Sequence, residues 1–82
     1  MKTDLFTSAI RNRFKLKFLY DLDEVTLEPY YIAKNKTGKK VLFGRINGTF
    51  EVGMFDYNKI ANIKTLAESR FSPIIPILPI AS

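Results

Sequence analysis

The chain has 82 residues, with thirteen Lys and Arg against eight Asp and Glu, a formal net charge of +5, and 46% apolar residues that include seven Phe and four Tyr. A chain of this size buries roughly 63% of its unfolded surface, which is one small domain with a thin core and no room for a cofactor domain or a two-lobed cleft. Cys, His and Trp are absent, which excludes disulfides, thiolate nucleophiles, imidazole bases and Cys/His zinc sites. The expectation is therefore a non-enzymatic module without a cofactor or metal. Positive charge biases encounters toward nucleic acid, anionic ligands or acidic proteins without choosing among them. The N-terminus turns polar at Thr7 and Ser8, too soon for a signal peptide, and no segment approaches the run of about 20 apolar residues a spanning helix needs. A cytoplasmic location away from membranes is expected.

Thr3 to Asn12 reads as a helix, with Thr3 as N-cap, Asp4 near the positive helix end, and Leu5, Phe6, Ala9 and Ile10 on one face. At Phe14 the period changes to two: Phe14, Leu16, Phe18 and Tyr20 face one way, and Arg13, Lys15 and Lys17 the other. Asp21 to Glu24 has turn chemistry, and a second strand alternates Val25, Leu27, Pro29 and Tyr31 with Thr26, Glu28, Tyr30 and Ile32. Pro29 cannot donate to a ladder, so an edge or a bulge is expected there. After an Asn35-Lys36-Thr37-Gly38 turn, Lys40 to Ile46 is a strand apolar on both faces. Asn47-Gly48 signals a two-residue type I′ hairpin into a fourth strand, Thr49 to Phe55. Asp56 to Lys59 breaks the alternation as a turn or short 3₁₀ stretch, and Ile60 to Leu66 forms a fifth strand. The fold class is mainly β: a short N-terminal helix followed by a five-stranded, strongly bent β-barrel over residues 1–71.

Residues 72–82 form a separate tail, in which Pro73, Pro76 and Pro79 recur at every third position. That period matches polyproline II and excludes an ordinary α-helix. Ile74, Ile77 and Ile80 would share one ridge, Ile75 and Leu78 another. So apolar a segment is expected to dock, on its own barrel or on a partner chain, with a proline-rich ligand for an aromatic groove as the remaining alternative.

From Leu5 to Phe71, about four-fifths of the chain, the sequence resembles the WYL domain. The matching features are the helical Ala9-Ile10 pair, the basic stretch, Phe18-Leu19-Tyr20, the Pro in Leu27-Glu28-Pro29, the Gly38 turn, and Phe55-Asp56-Tyr57-Asn58-Lys59-Ile60. The last has the spacing of the family's Phe-x-x-x-Arg-Ile segment, with Lys59 at the Arg position. The name-giving Trp-Tyr-Leu triplet falls on Lys40-Val41-Leu42, so the leucine remains and the aromatic pair does not. The resemblance implies an SH3-like or Sm-like barrel of bacterial origin. It also implies a regulatory role, often beside a helix-turn-helix, in which basic and aromatic side chains on the barrel face take an anionic effector or nucleic acid. With one helix, the sequence shows a module rather than a whole transcription factor.

The candidate ligand-binding residues are Arg13, Lys15, Lys17, Tyr20, Lys40, Arg45 and Lys59. Arg13, Lys15 and Lys17, with Arg11 before them, form a row that can follow a phosphate backbone or stand as a solvated face. Lys34, Lys36, Lys39 and Lys40 surround the Gly38 turn, with Tyr20, Tyr30 and Tyr31 nearby as stacking surfaces. Lys59 can aim at an anion or bond to turn carbonyls. Arg45, mid-strand among apolar neighbours, needs a carboxylate such as Glu28 or Glu51, or a ligand. Asp21, Asp23 and Glu24 match no calcium loop, and no carboxylate pair or serine motif is placed for catalysis. Three readings follow: a module for a nucleotide-type effector or single-stranded nucleic acid, an oligomerisation or adaptor domain using the tail and sheet edges, and an Sm-like RNA-binding ring.

Overall fold

The computed structural model describes residues 1–72, so the expectations for the Pro73–Ile80 tail lie outside the described residues. The described chain runs α1 (Lys2–Asn12), β1 (Phe14–Tyr20), β2 (Asp23–Lys34), β3 (Lys40–Ile46), β4 (Val52–Asp56), a 3₁₀ turn (Tyr57–Lys59) and β5 (Ile60–Arg70). The five strands form one antiparallel sheet in the order β4-β3-β2-β1-β5. The fold is thus mainly β with one N-terminal helix, as the change of period at Phe14 indicates.

The sheet is curled. Strands lie about 4.8 Å apart, so in a flat sheet β4 and β1 would be roughly 14 Å apart. Instead Phe55 on β4 meets two rings on β1 edge-on, Phe18 at 5.5 Å and Tyr20 at 4.9 Å between centroids. The Asp56 N–H also donates to the Tyr20 hydroxyl at 3.1 Å. The curl does not go to closure. Among the described residues β4 and β5 remain the two edges and no ladder joins them, so in place of the expected strongly bent barrel the sheet is open and rolled. Register shifts explain part of the roll: β1 and β5 slip between Phe14 and Lys15 and between Lys17 and Leu19, with Asn62 at φ 52°.

Inside the roll lie Phe6, Ala9 and Ile10 of α1 with Leu16, Phe18, Leu27, Leu42, Phe55 and Ile60. The helix therefore plugs the concave side of the sheet with the face its periodicity marks. It begins one residue earlier than its polar pattern suggests. Met1 holds the N-cap position without a side-chain bond, and the Thr3 hydroxyl instead meets the Tyr57 hydroxyl at 3.3 Å. Its other end stops at Arg13 in a left-handed conformation (φ 59°, ψ 37°), whose N–H returns to the Ile10 carbonyl.

Of the two outcomes expected at Pro29, an edge or a bulge, the structure has the bulge: Pro29 pairs with Gly44, the next pair is Tyr31 with Phe43, and Tyr30 is the extra residue. The extra residue reverses the alternation, so Tyr31 leaves the side of Leu27 and Ile32 joins it. The expected type I′ hairpin is corrected: Asn47-Gly48 do form a turn, closed by Thr49 N–H to the Ile46 carbonyl at 3.0 Å, but Gly48 takes φ 82° while Asn47 stays out of the positive region, and the strands next bond through Ile46 N–H to the Glu51 carbonyl at 3.0 Å, a longer loop than two residues. β4 accordingly starts at Val52, and β5 extends to Arg70, four residues beyond the expected Leu66.

Candidate anion-binding site

Two connections converge at one end of the sheet. The β2–β3 turn is held by Asn35, whose side-chain oxygen accepts the Thr37 N–H at 3.0 Å, the Thr37 hydroxyl at 2.7 Å and the Lys39 N–H at 3.0 Å. Gly38 supplies the positive φ of 79° that closes it. The β4–β5 connection is the 3₁₀ turn. Because Val41 pairs with Asp56, the start of β3 lies beside the end of β4 and Lys40 is carried next to Tyr57. Between the two turns lies a concave pocket of about 400 Å³ lined by Asn35, Lys39, Lys40, Asp56, Tyr57, Asn58 and Lys59.

Its electrostatics are one-sided. Three ammonium groups share the lining with one carboxylate, Asp56, and among the described residues none of the three lysines forms an ion pair. Lys40 Nζ donates to the Thr3 hydroxyl at 3.2 Å, and Lys59 Nζ lies 5.9 Å from the centre of the Tyr20 ring. These neutral partners fix direction without cancelling charge. Tyr57 is held against α1: Phe6 packs edge-on against its ring at 5.1 Å, and Lys2 Nζ donates to its carbonyl at 2.5 Å. Burial pushes the Tyr57 phenol above its ordinary value, opposed by the bond to Thr3, so the ring enters the pocket as a neutral hydroxyl. Lysines, side-chain amides and a phenol are donors suited to phosphate or carboxylate oxygens. Among the described residues no cluster of carboxylates could hold a metal ion.

The other sequence candidates lie elsewhere. Arg13 is the helix cap through its backbone, whose carbonyl accepts the Phe71 N–H at 3.0 Å, while its side chain is exposed. Lys15 Nζ donates to the Asn47 side chain at 3.0 Å, and Lys17 pairs with Glu24 at 3.5 Å. Arg45 makes a two-pronged contact with Glu28, Nε to Oε1 at 2.8 Å and Nη2 to Oε2 at 2.6 Å, and donates to the Thr49 carbonyl at 3.1 Å. Glu28, at 1% exposure, is the buried carboxylate the mid-strand arginine requires, and the bond raises the Arg45 pKa further. A second hollow of about 460 Å³ contains Lys17 and Lys64, but Glu24 in its lining is already bonded to Lys17.

Of the seven candidates, the structure therefore gathers Tyr20, Lys40 and Lys59 around one pocket. It adds Asn35, Lys39, Asp56, Tyr57 and Asn58. Their signal in the sequence is hairpin arithmetic: the residues opening β3 must oppose those ending β4, which joins the Gly38 turn to the Asp56–Lys59 turn. No family model, characterised protein or solved structure matches the chain. Among the described residues no helix is long and apolar enough to cross a membrane.

Proposed function

We propose that the chain is a non-enzymatic, WYL-like regulatory module that recognises a phosphate-bearing, nucleotide-type anion in the pocket between the β2–β3 and β4–β5 connections. The observation that carries the reading is the convergence of Lys39, Lys40 and Lys59 on one hollow with a single carboxylate. Support comes also from Lys59 occupying the position of the family's Arg, from one helix preceding five antiparallel strands, and from a curl that lays β4 over β1 as in SH3-like and Sm-like folds. A hollow of about 400 Å³ suits a small ligand better than a strand of nucleic acid. In the basic row Lys17 is paired with Glu24, whereas the pocket gathers three lysines without an ion pair among the described residues.

The test is calorimetric titration with adenosine and guanosine triphosphates and with inorganic phosphate at low and moderate salt. Binding should weaken with salt, and Lys40→Ala or Lys59→Ala should each cost about tenfold in affinity. Lys36→Ala, on the tip of the turn, should cost little. Equal affinity in all three variants would remove the pocket from consideration. The adaptor reading keeps one observation of its own: Phe50 at 85% exposure beside edge strand β4. It predicts concentration-dependent association that Phe50→Ser abolishes, with nucleotide binding absent.

A further inference from the structure

The convex side of the sheet carries an apolar strip that the anion pocket does not use. Leu42 and Phe55 face the core, so their neighbours Val41, Phe43 and Met54 face the other way. The bulge sends Tyr30 and Tyr31 to that side as well. Tyr31 stacks on Phe43 at 4.7 Å and 15°, and Phe43 pairs with Met54 on β4, which is 52% exposed. The strip thus crosses three strands. Tyr30 and Val41 are both 0% exposed yet neither belongs to the central cluster, so this face is a second apolar layer rather than a solvated one. Of its charged neighbours, Glu28 and Arg45 neutralise each other and Asp56 lies at one end, opposite Val41.

The described chain ends on this face. After β5, Phe71 is bonded to the Arg13 carbonyl and its ring stacks on Tyr30 at 5.8 Å and 26°. The ten residues from Pro73 onward contain no charged side chain and carry Ile74, Ile75, Ile77, Leu78 and Ile80. We propose that Pro73–Ile80 docks on its own chain, crossing the convex face over the Tyr31–Phe43 stack toward Met54. The reach is ample: eight residues at about 3.1 Å each span roughly 25 Å, while β2 and β4 are separated by about 10 Å. Tethering at Phe71 favours the chain's own face over a second copy through effective concentration. Prolines lack the N–H that a β ladder would require, and stacked aromatic rings are the surface on which proline-rich segments seat. The strap covers apolar surface that the thin core leaves over, and it stands independently of the anion pocket.

Because the chain has no native cysteine, engineered pairs give a clean test. Ala33→Cys or Met54→Cys on the convex face is combined with Ile74→Cys, Ile77→Cys or Ile80→Cys and oxidised with glutathione disulfide at micromolar protein. The expected result is an intrachain disulfide in at least one combination, formed at least tenfold faster than in controls pairing the same tail positions with Leu22→Cys, at the far end of β1. Disulfides only between chains, or rates no faster than the control, would overturn the proposal. Should the double variants fail to fold, the unaltered chain gives the answer by NMR. Isoleucine methyls of the segment should show contacts to the Tyr31 and Phe43 rings, and their absence in the folded protein is equally decisive against it.

Discussion

Three residues show how local chemistry constrains this fold. Gly44 pairs with Pro29 and Gly53, and a methyl group there would run into the Glu28 carbonyl and lie 2.9 Å from the Leu27 side chain. Gly44→Ala should therefore cost about 1–3 kcal/mol, read as a fall in the thermal midpoint. Glu28 and Arg45 form the buried pair of the convex face, whereas Glu24 and Lys17 form a solvent-exposed one. Glu28→Gln should consequently lower the midpoint more than Glu24→Gln, because the first removes the counter-charge of the partly buried Arg45 and puts an amide in a carboxylate's buried place. Equal effects from the two exchanges would show that the convex face is open to water. Tyr57 supplies a pH signature. Its phenol is raised above 10.0 by burial, so the folded state holds the proton more tightly than the unfolded one. That contribution is complete below the ordinary tyrosine value and is lost as pH rises through the folded value. Melting curves above about pH 9.5 should decline less steeply in Tyr57→Phe than in the parent.

At the scale of elements, the amphipathic helix and the change to period two were plain in the sequence, since Phe6, Ala9 and Ile10 and then Leu16 and Phe18 reach the core as their spacing requires. Features that depend on pairing were not. Pro29 marks an edge or a bulge, but not that Tyr30 is the inserted residue and that Tyr31 thereby moves to the convex face. The Asn47-Gly48 signal points to a turn but not its length, which the Arg45–Thr49 and Ile46–Glu51 bonds set at the level of the hairpin. Threonine often satisfies a helix N-terminus, but Tyr57, far along the chain, captures the Thr3 hydroxyl. The helix is the element on which the concave side depends. A domain of this size has about 4–12 kcal/mol of stability, and Phe6→Ala removes a fully buried ring worth about 3–5 kcal/mol. The variant should be largely unfolded by circular dichroism at room temperature or show a midpoint lowered by well over ten degrees. A parent-like melting curve would show that α1 does not hold the roll together.

For the whole molecule, charge and topology contribute differently. The net charge of +5 biases the chain toward anionic partners but leaves two basic groups in the sequence, Arg11 to Lys17 and Lys34 to Lys40, between which it does not choose. The order β4-β3-β2-β1-β5 decides which lysines meet: Lys40 and Lys59 are nineteen positions apart in sequence and line one hollow, while Lys15 and Lys17 find partners of their own. The site was thus half legible. Lys59, at the Arg position of the family the sequence resembles, and the Gly38 turn mark its two walls, and the register of β3 on β4 brings them together. The most direct measurement is a residue-resolved NMR titration of the full chain with a nucleoside triphosphate. The account predicts saturable amide shifts concentrated at Asn35, Lys39, Lys40 and Asp56 to Lys59, moving together and reversed by added salt. Shifts centred instead on Lys15, Lys17 and Lys64, or no saturable shift at millimolar nucleotide, would contradict it.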